Sequence, residues 1–85
     1  MDKYTVEIVP KAEKEFLKLP EVVKSRVRKK IFLLEDNPRP FGSKKLKETA
    51  YYRIRIGDFR MVYSIHDNIK IVKILSVAHR KDVFR

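Results

Sequence analysis

Tyr51-Tyr52-Arg53-Ile54-Arg55-Ile56-Gly57-Asp58-Phe59-Arg60-Met61-Val62-Tyr63 is the stretch that decides the fold. Residues 51–56 alternate strictly, which predicts a strand with Tyr52, Ile54 and Ile56 on one face. Gly57-Asp58 is a tight-turn signal, and Phe59 opens a second strand that runs to His66. With a two-residue turn, Ile56 faces Phe59, Arg55 faces Arg60, Ile54 faces Met61 and Arg53 faces Val62. A side-chain period of two then collects Arg53, Arg55 and Arg60 on one face of the hairpin. Ile54, Ile56, Phe59, Met61 and Tyr63 take the other.

Outward toward the C-terminus, Asp67-Asn68 marks a second turn. Residues 69–78 read as a long strand with apolar residues on both faces, as in an interior strand. The two-residue turn rule places Lys73 opposite Val62, on the arginine face. His79, Arg80, Lys81, Asp82, Val83, Phe84 and Arg85 follow directly.

Outward toward the N-terminus lies a loop over residues 37–49, with two prolines, Gly42, Lys44, Lys45 and Lys47. Before it, Val23, Val27, Ile31 and Leu34 form the apolar stripe of a helix that starts after Pro20 and stops at Asn37-Pro38. A shorter helix opens at Pro10 and aligns Ala12, Phe16 and Leu19. Thr5-Val6-Glu7-Ile8-Val9 is rich in β-branched residues and reads as a first strand. The order β-α-α-β-β-β(-β) predicts a single α+β domain over residues 1–85. In it, an N-terminal strand and a helical hairpin pack on a twisted, mainly antiparallel sheet.

Composition narrows the chemistry. The chain has 85 residues and no cysteine, so disulfides and thiolate metal sites are excluded. No apolar run approaches a membrane span and no signal peptide is visible, so a cytoplasmic protein is expected. Twenty-one Lys+Arg oppose 11 Asp+Glu, a formal charge of +10. Residues 1–42 carry 10 basic and 7 acidic side chains, net +3; residues 43–85 carry 11 and 4, net +7. A basic half on a small domain is the footprint of a polyanion binder.

Like charges facing each other across a ladder destabilise a sheet. Concentrating them on one face suits phosphate binding by guanidinium forks, although a solubilising surface or acidic loop partners also fit the pattern. Tyr51 falls on the basic face and can stack a base; Tyr52 and Tyr63 are packing residues. His66 borders a turn and reads as solvated, whereas His79 beside Arg80 and Lys81 can donate or accept a proton there. The sequence contains no HExxH, calcium loop, P-loop, glycine-rich nucleotide fingerprint or serine elbow, so no metal and no cofactor is expected.

The block from Tyr52 to Tyr63, the end from Leu75 to Phe84, and the hairpin closing in Asn37-Pro38-Arg39-Pro40 with Lys44-Lys45-Leu46-Lys47 resemble the RelE/ParE toxin superfamily. The likeness runs in order along nearly the whole chain. A RelE-type member implies a toxin that cuts mRNA in the ribosomal A site without metal, neutralised by an acidic, partly disordered, RelB-like antitoxin. By that resemblance Arg60 and Arg80 match phosphate-stabilising arginines. Arg53 and Arg55 stand where RelE has lysines of the basic site. With the basic face and loop, Lys44, Lys45, Lys47, Tyr51, Lys73, Lys81 and Phe84 are expected RNA contacts. Phe84 replaces a tyrosine proposed as the base, and a phenyl ring cannot take a proton, so His79 becomes the first candidate proton carrier, with Tyr51 and Lys73 behind it. The same scaffold also serves ParE-like gyrase poisons, and a catalytically degenerate nucleic-acid- or antitoxin-binding member fits the departures as well.

Overall fold

The structure is a computed structural model and describes residues 3–79. The elements are β1 (Thr5–Ile8), α1 (Pro10–Leu17), α2 (Glu21–Asp36), β2 (Lys44–Lys45), β3 (Tyr51–Ile56), β4 (Phe59–His66) and β5 (Ile71–His79). They form one five-stranded sheet in the order β1-β5-β4-β3-β2, with both helices on one side. All neighbours are antiparallel except β1 and β5, which run parallel. The sheet is therefore mixed and mainly antiparallel.

The β3–β4 hairpin has the register read from the sequence: Ile56 with Phe59, Arg55 with Arg60, Ile54 with Met61, Arg53 with Val62. Gly57 makes the turn at φ +61°, a left-handed conformation that costs glycine no Cβ clash. The core forms where the apolar face of the sheet meets the helix stripes. Val27 and Leu34 of α2, Ala12 of α1, and Met61, Tyr63, Val72 and Ile74 of the sheet are fully buried. Val23, Ile31 and Phe16 pack around them. Pro10 sits in the first turn of α1, and Pro20 precedes α2.

The β4–β5 connection departs from the two-residue turn. Residues 67–70 make the turn, so His66 pairs with Ile71 and Lys73 pairs with Ser64, not Val62. Lys70 adopts φ +56°, with its ammonium over the Tyr4 ring at 4.8 Å and its carbonyl accepting from Thr5 N–H. Further along, Tyr63 pairs with Ile74 and Val62 with Ser76, so Leu75 is an extra residue, a β-bulge. The bulge reverses the alternation: Val72 and Ile74 are buried before it and Val77 after it. Beyond Ile74, β1 no longer covers β5, and α1 supplies a substitute partner: Glu15 Oε1 accepts from Val77 N–H at 3.0 Å.

The loop between α2 and β2 is fastened at several points. The buried Tyr63 hydroxyl donates to the Pro38 carbonyl at 2.8 Å. Burial of that phenol raises its pKa. Arg39 donates to both Asp67 carboxylate oxygens, at 3.3 and 2.9 Å, and to the Tyr52 hydroxyl at 3.1 Å. The Tyr4 hydroxyl donates to the same carboxylate. Tyr52 in turn stacks on Tyr63, with centroids 5.9 Å apart. The expected loop over 37–49 thus contains an anchored first turn and the short strand β2.

Candidate nucleic-acid interface

The sheet side opposite the helices is built in rows, because residues paired across a ladder point the same way. One row is Arg55, Arg60 and Ala78. The next is Lys44, Arg53, Val62 and Ser76. A third is Tyr51, Ser64, Lys73 and Glu7. Arg53, Arg55 and Arg60 therefore share one face, with Lys44 added by β2 and Lys73 by β5. Lys73 keeps its expected side because the longer turn shifts its partner by two residues, which preserves parity.

Exposure differs within this face. Arg55 is exposed, Arg53 is partly covered and Arg60 is 7% exposed in the interior strand β4. A guanidinium held there has few rotamers open to it, which suits a clamp fixed before its ligand arrives. Among the described residues, no carboxylate comes within ion-pair distance of Lys44, Arg53, Arg55 or Lys73. The acidic loop partners that the sequence left open are absent from these four. Arg39, on the helix side, has the opposite situation: its bond to Asp67 holds that carboxyl at a pKa of about 2.

Other expected contacts are distributed differently. Lys45 pairs with Tyr52 and so lies on the helix side of the sheet, and Lys47 sits in the β2–β3 loop. Arg80, Lys81 and Phe84 lie outside the described residues. His79 requires a correction. It pairs with Phe59 and meets that ring edge-on, with centroids 5.4 Å apart. It borders a cleft with Glu15, Lys18, Leu19 and Val77 on the helix side. The expected position beside the basic surface assumed unbroken alternation from Lys73; the Leu75 bulge moves position 79 to the other face.

Sequence reading missed one basic feature. Arg26, Lys29 and Lys30 of α2, with Leu33, border a groove that Arg55, Ile56 and Gly57 close from the hairpin. Arg26 Nη1 lies 3.4 Å from where a Cβ on Gly57 would stand. The basic surface thus continues from the sheet face around the turn onto α2. Lys24, Arg26, Arg28 and Lys29 stand between the apolar positions of that helix in the sequence, but the hairpin beside them is brought there only by the fold.

Fold and face together define a basic α+β protein with one helix-covered and one cationic sheet face. Residues 6–84 match the profile of the ParE toxin of type II toxin–antitoxin systems. A relative bearing the toxin name RelE1 in Methanocaldococcus jannaschii is 31% identical over 87 residues, covering 98% of this chain and 97% of its own. The crystal structure of the archaeal RelE–RelB complex from Pyrococcus horikoshii contains a chain with TM-score 0.82 and 34% identity. The match covers 91% of the present chain and 94% of that one. The RelBE2 toxin–antitoxin complex from Mycobacterium tuberculosis gives 0.81 and 31%, over 92% and 99%. The chain belongs to the RelE/ParE superfamily and is a RelE-type toxin of a toxin–antitoxin system.

Proposed function

We propose that this toxin is a ribosome-dependent endoribonuclease that cuts mRNA in the A site and is held inactive by a RelB-like antitoxin in the cytoplasm. The observation that carries the reading is the cationic sheet face. Arg53, Arg55 and Arg60 sit on adjacent strands within two rows, and Arg53 and Arg55 meet no carboxylate among the described residues.

The reaction is attack of a ribose 2′-hydroxyl on the adjacent phosphorus. The 2′-hydroxyl gives up its proton as a new P–O bond closes a 2′,3′-cyclic phosphate, the P–O5′ bond breaks, and the leaving 5′-oxygen gains a proton, so no net proton is consumed. Charge grows on the non-bridging oxygens as the phosphorus becomes five-coordinate. Arg60, with Arg80 from the chain end, is proposed to bind those oxygens. Arg53, Arg55 and Lys44 hold the flanking backbone. Because arginine stays protonated, these groups stabilise charge and do not act as a base. His79 on the helix side is not assigned proton transfer. The toxin's share of catalysis is then the arginine clamp and an enforced in-line geometry of the ribose and phosphate.

The test is primer extension on mRNA after induction of the toxin alone, beside Arg60→Ala and Arg80→Ala. Codon-positioned cleavage lost in both variants supports the reading; arrest by either variant at full strength refutes the assignment. The ParE profile match supports a second reading, gyrase poisoning, which yields an SOS response with intact mRNA in the same cells. For the antitoxin, the RelE chains of Pyrococcus horikoshii and Mycobacterium tuberculosis were crystallised with RelB-type partners. An acidic, partly disordered partner of this chain would neutralise the cationic face, and its co-expression restores growth.

A further inference from the structure

We infer that the row Tyr51, Ser64 and Lys73 is a separate subsite for a nucleotide flanking the one that is cut. The inference rests on the reading of the sheet face as an RNA surface. The rows of that face are two residues apart along antiparallel strands, so they recur every ~6.8 Å. That repeat is close to the span of one nucleotide in an extended single strand. Arg55 and Arg60 hold the first row, Lys44 and Arg53 the second. The third row changes its chemistry, and the change suits a nucleotide better than a bare phosphate.

Tyr51 stands on the open sheet face with 46% of its surface exposed, whereas Tyr52 and Tyr63 are packed on the helix side. An aromatic ring left in water on a sheet among cations is the arrangement by which sheet platforms stack bases. Beside it on β4, Ser64 is 7% exposed, and its hydroxyl lies 3.0 Å from His66 Nε2. This pair fixes a polar group where a ribose hydroxyl or base edge would arrive. On the other side of Ser64, Lys73 supplies a cation without a carboxylate partner among the described residues. Glu7 follows Lys73 in the row and makes no ion pair with it. Its charge repels a phosphate, so the track ends at Lys73. The row thus offers a stacking ring, a fixed hydroxyl and one cation, in the order base, ribose, phosphate.

Binding of 2′-O-methyl RNA oligonucleotides, which lack the attacking hydroxyl, tests this by fluorescence anisotropy. The native toxin should gain affinity when the oligonucleotide grows from two to five nucleotides. Tyr51→Ala and Lys73→Gln should each remove roughly tenfold of the longer oligonucleotide's affinity and leave the dinucleotide unchanged. Tyr51→Phe should retain the gain, since the ring and not the hydroxyl stacks. Lys73→Gln should also lower the salt slope by about one contact. Lys73→Gln keeps part of the aliphatic stem at a partly exposed position, so the test stands even if Tyr51→Ala folds poorly. Native-like binding by both variants, or equal loss on both lengths, overturns the subsite while leaving the sheet-face reading intact. That reading itself falls if Arg53→Ala and Arg55→Ala bind both lengths as tightly as the native toxin.

Discussion

Arg39 and Arg55 show how differently the two sides of the sheet treat one kind of side chain. Arg39, beside the helix-covered face, spends its hydrogen bonds inside the molecule: two to Asp67 and one to Tyr52, with its guanidinium over the Tyr52 ring at 5.3 Å. It joins the α2–β2 loop to the β4–β5 turn. Arg55, on the open face, is exposed and lies opposite Arg60 with no carboxylate in reach among the described residues. A paired cation contributes to the fold; facing like charges cost a sheet stability and are retained when an anion is to be bound. Internal partners are thus a guide to which arginines are structural.

The largest effect that separates the sides comes from the core. Met61→Ala, fully buried on the helix side, should cost about 2–5 kcal/mol and lower Tm by many degrees, read by thermal denaturation. Arg60→Ala, one residue away, should instead strike activity. Loss of one pre-set charge stabiliser corresponds to roughly 100- to 1,000-fold slower cleavage, read by single-turnover cleavage on programmed ribosomes. If Arg60→Ala only destabilises and leaves the cleavage rate of folded protein unchanged, the contrast between sides collapses.

A smaller effect sharpens the Arg39 side. The Asp67 pKa of about 2 is below its ordinary value because the native state favours the carboxylate. The clasp therefore contributes stability above pH ~4, and that contribution is lost as pH falls from there toward about 2. Asp67→Asn should destabilise the protein modestly at neutral pH and flatten the acid limb of the stability curve over that window. Denaturant titrations at several pH values measure both. The smallest effect belongs to His79. His79→Gln should leave the cleavage rate and its pH profile within about twofold of native, since the residue pairs with Phe59 on the helix side and meets that ring edge-on. A lost basic limb in the pH profile would return proton transfer to His79.

Much of the architecture was readable because period and turn chemistry are local. Strict alternation in residues 51–56 and glycine at the turn set the β3–β4 register, and with it the shared face of Arg53, Arg55 and Arg60. The stripe of Val23, Val27, Ile31 and Leu34 named the buried face of α2. Errors arose where a long-range contact overruled the local rule. Asp67-Asn68 looked like a two-residue turn, but Asp67 is held by Arg39 and Tyr4, and the turn extends through Lys70. Lys45 belongs to a strand of two residues, too short to show a period.

The amino-acid sequence by itself determined every element except the two-residue β2, the segregation of arginines onto one hairpin face and the superfamily, since each depends on residues close together in the chain. Tertiary structure alone decided which cations find internal partners and which face His79 occupies. A bulge at Leu75 leaves no mark in hydrophobic period until a partner strand fixes the count, and a single added residue there exchanges the two sides of everything after it.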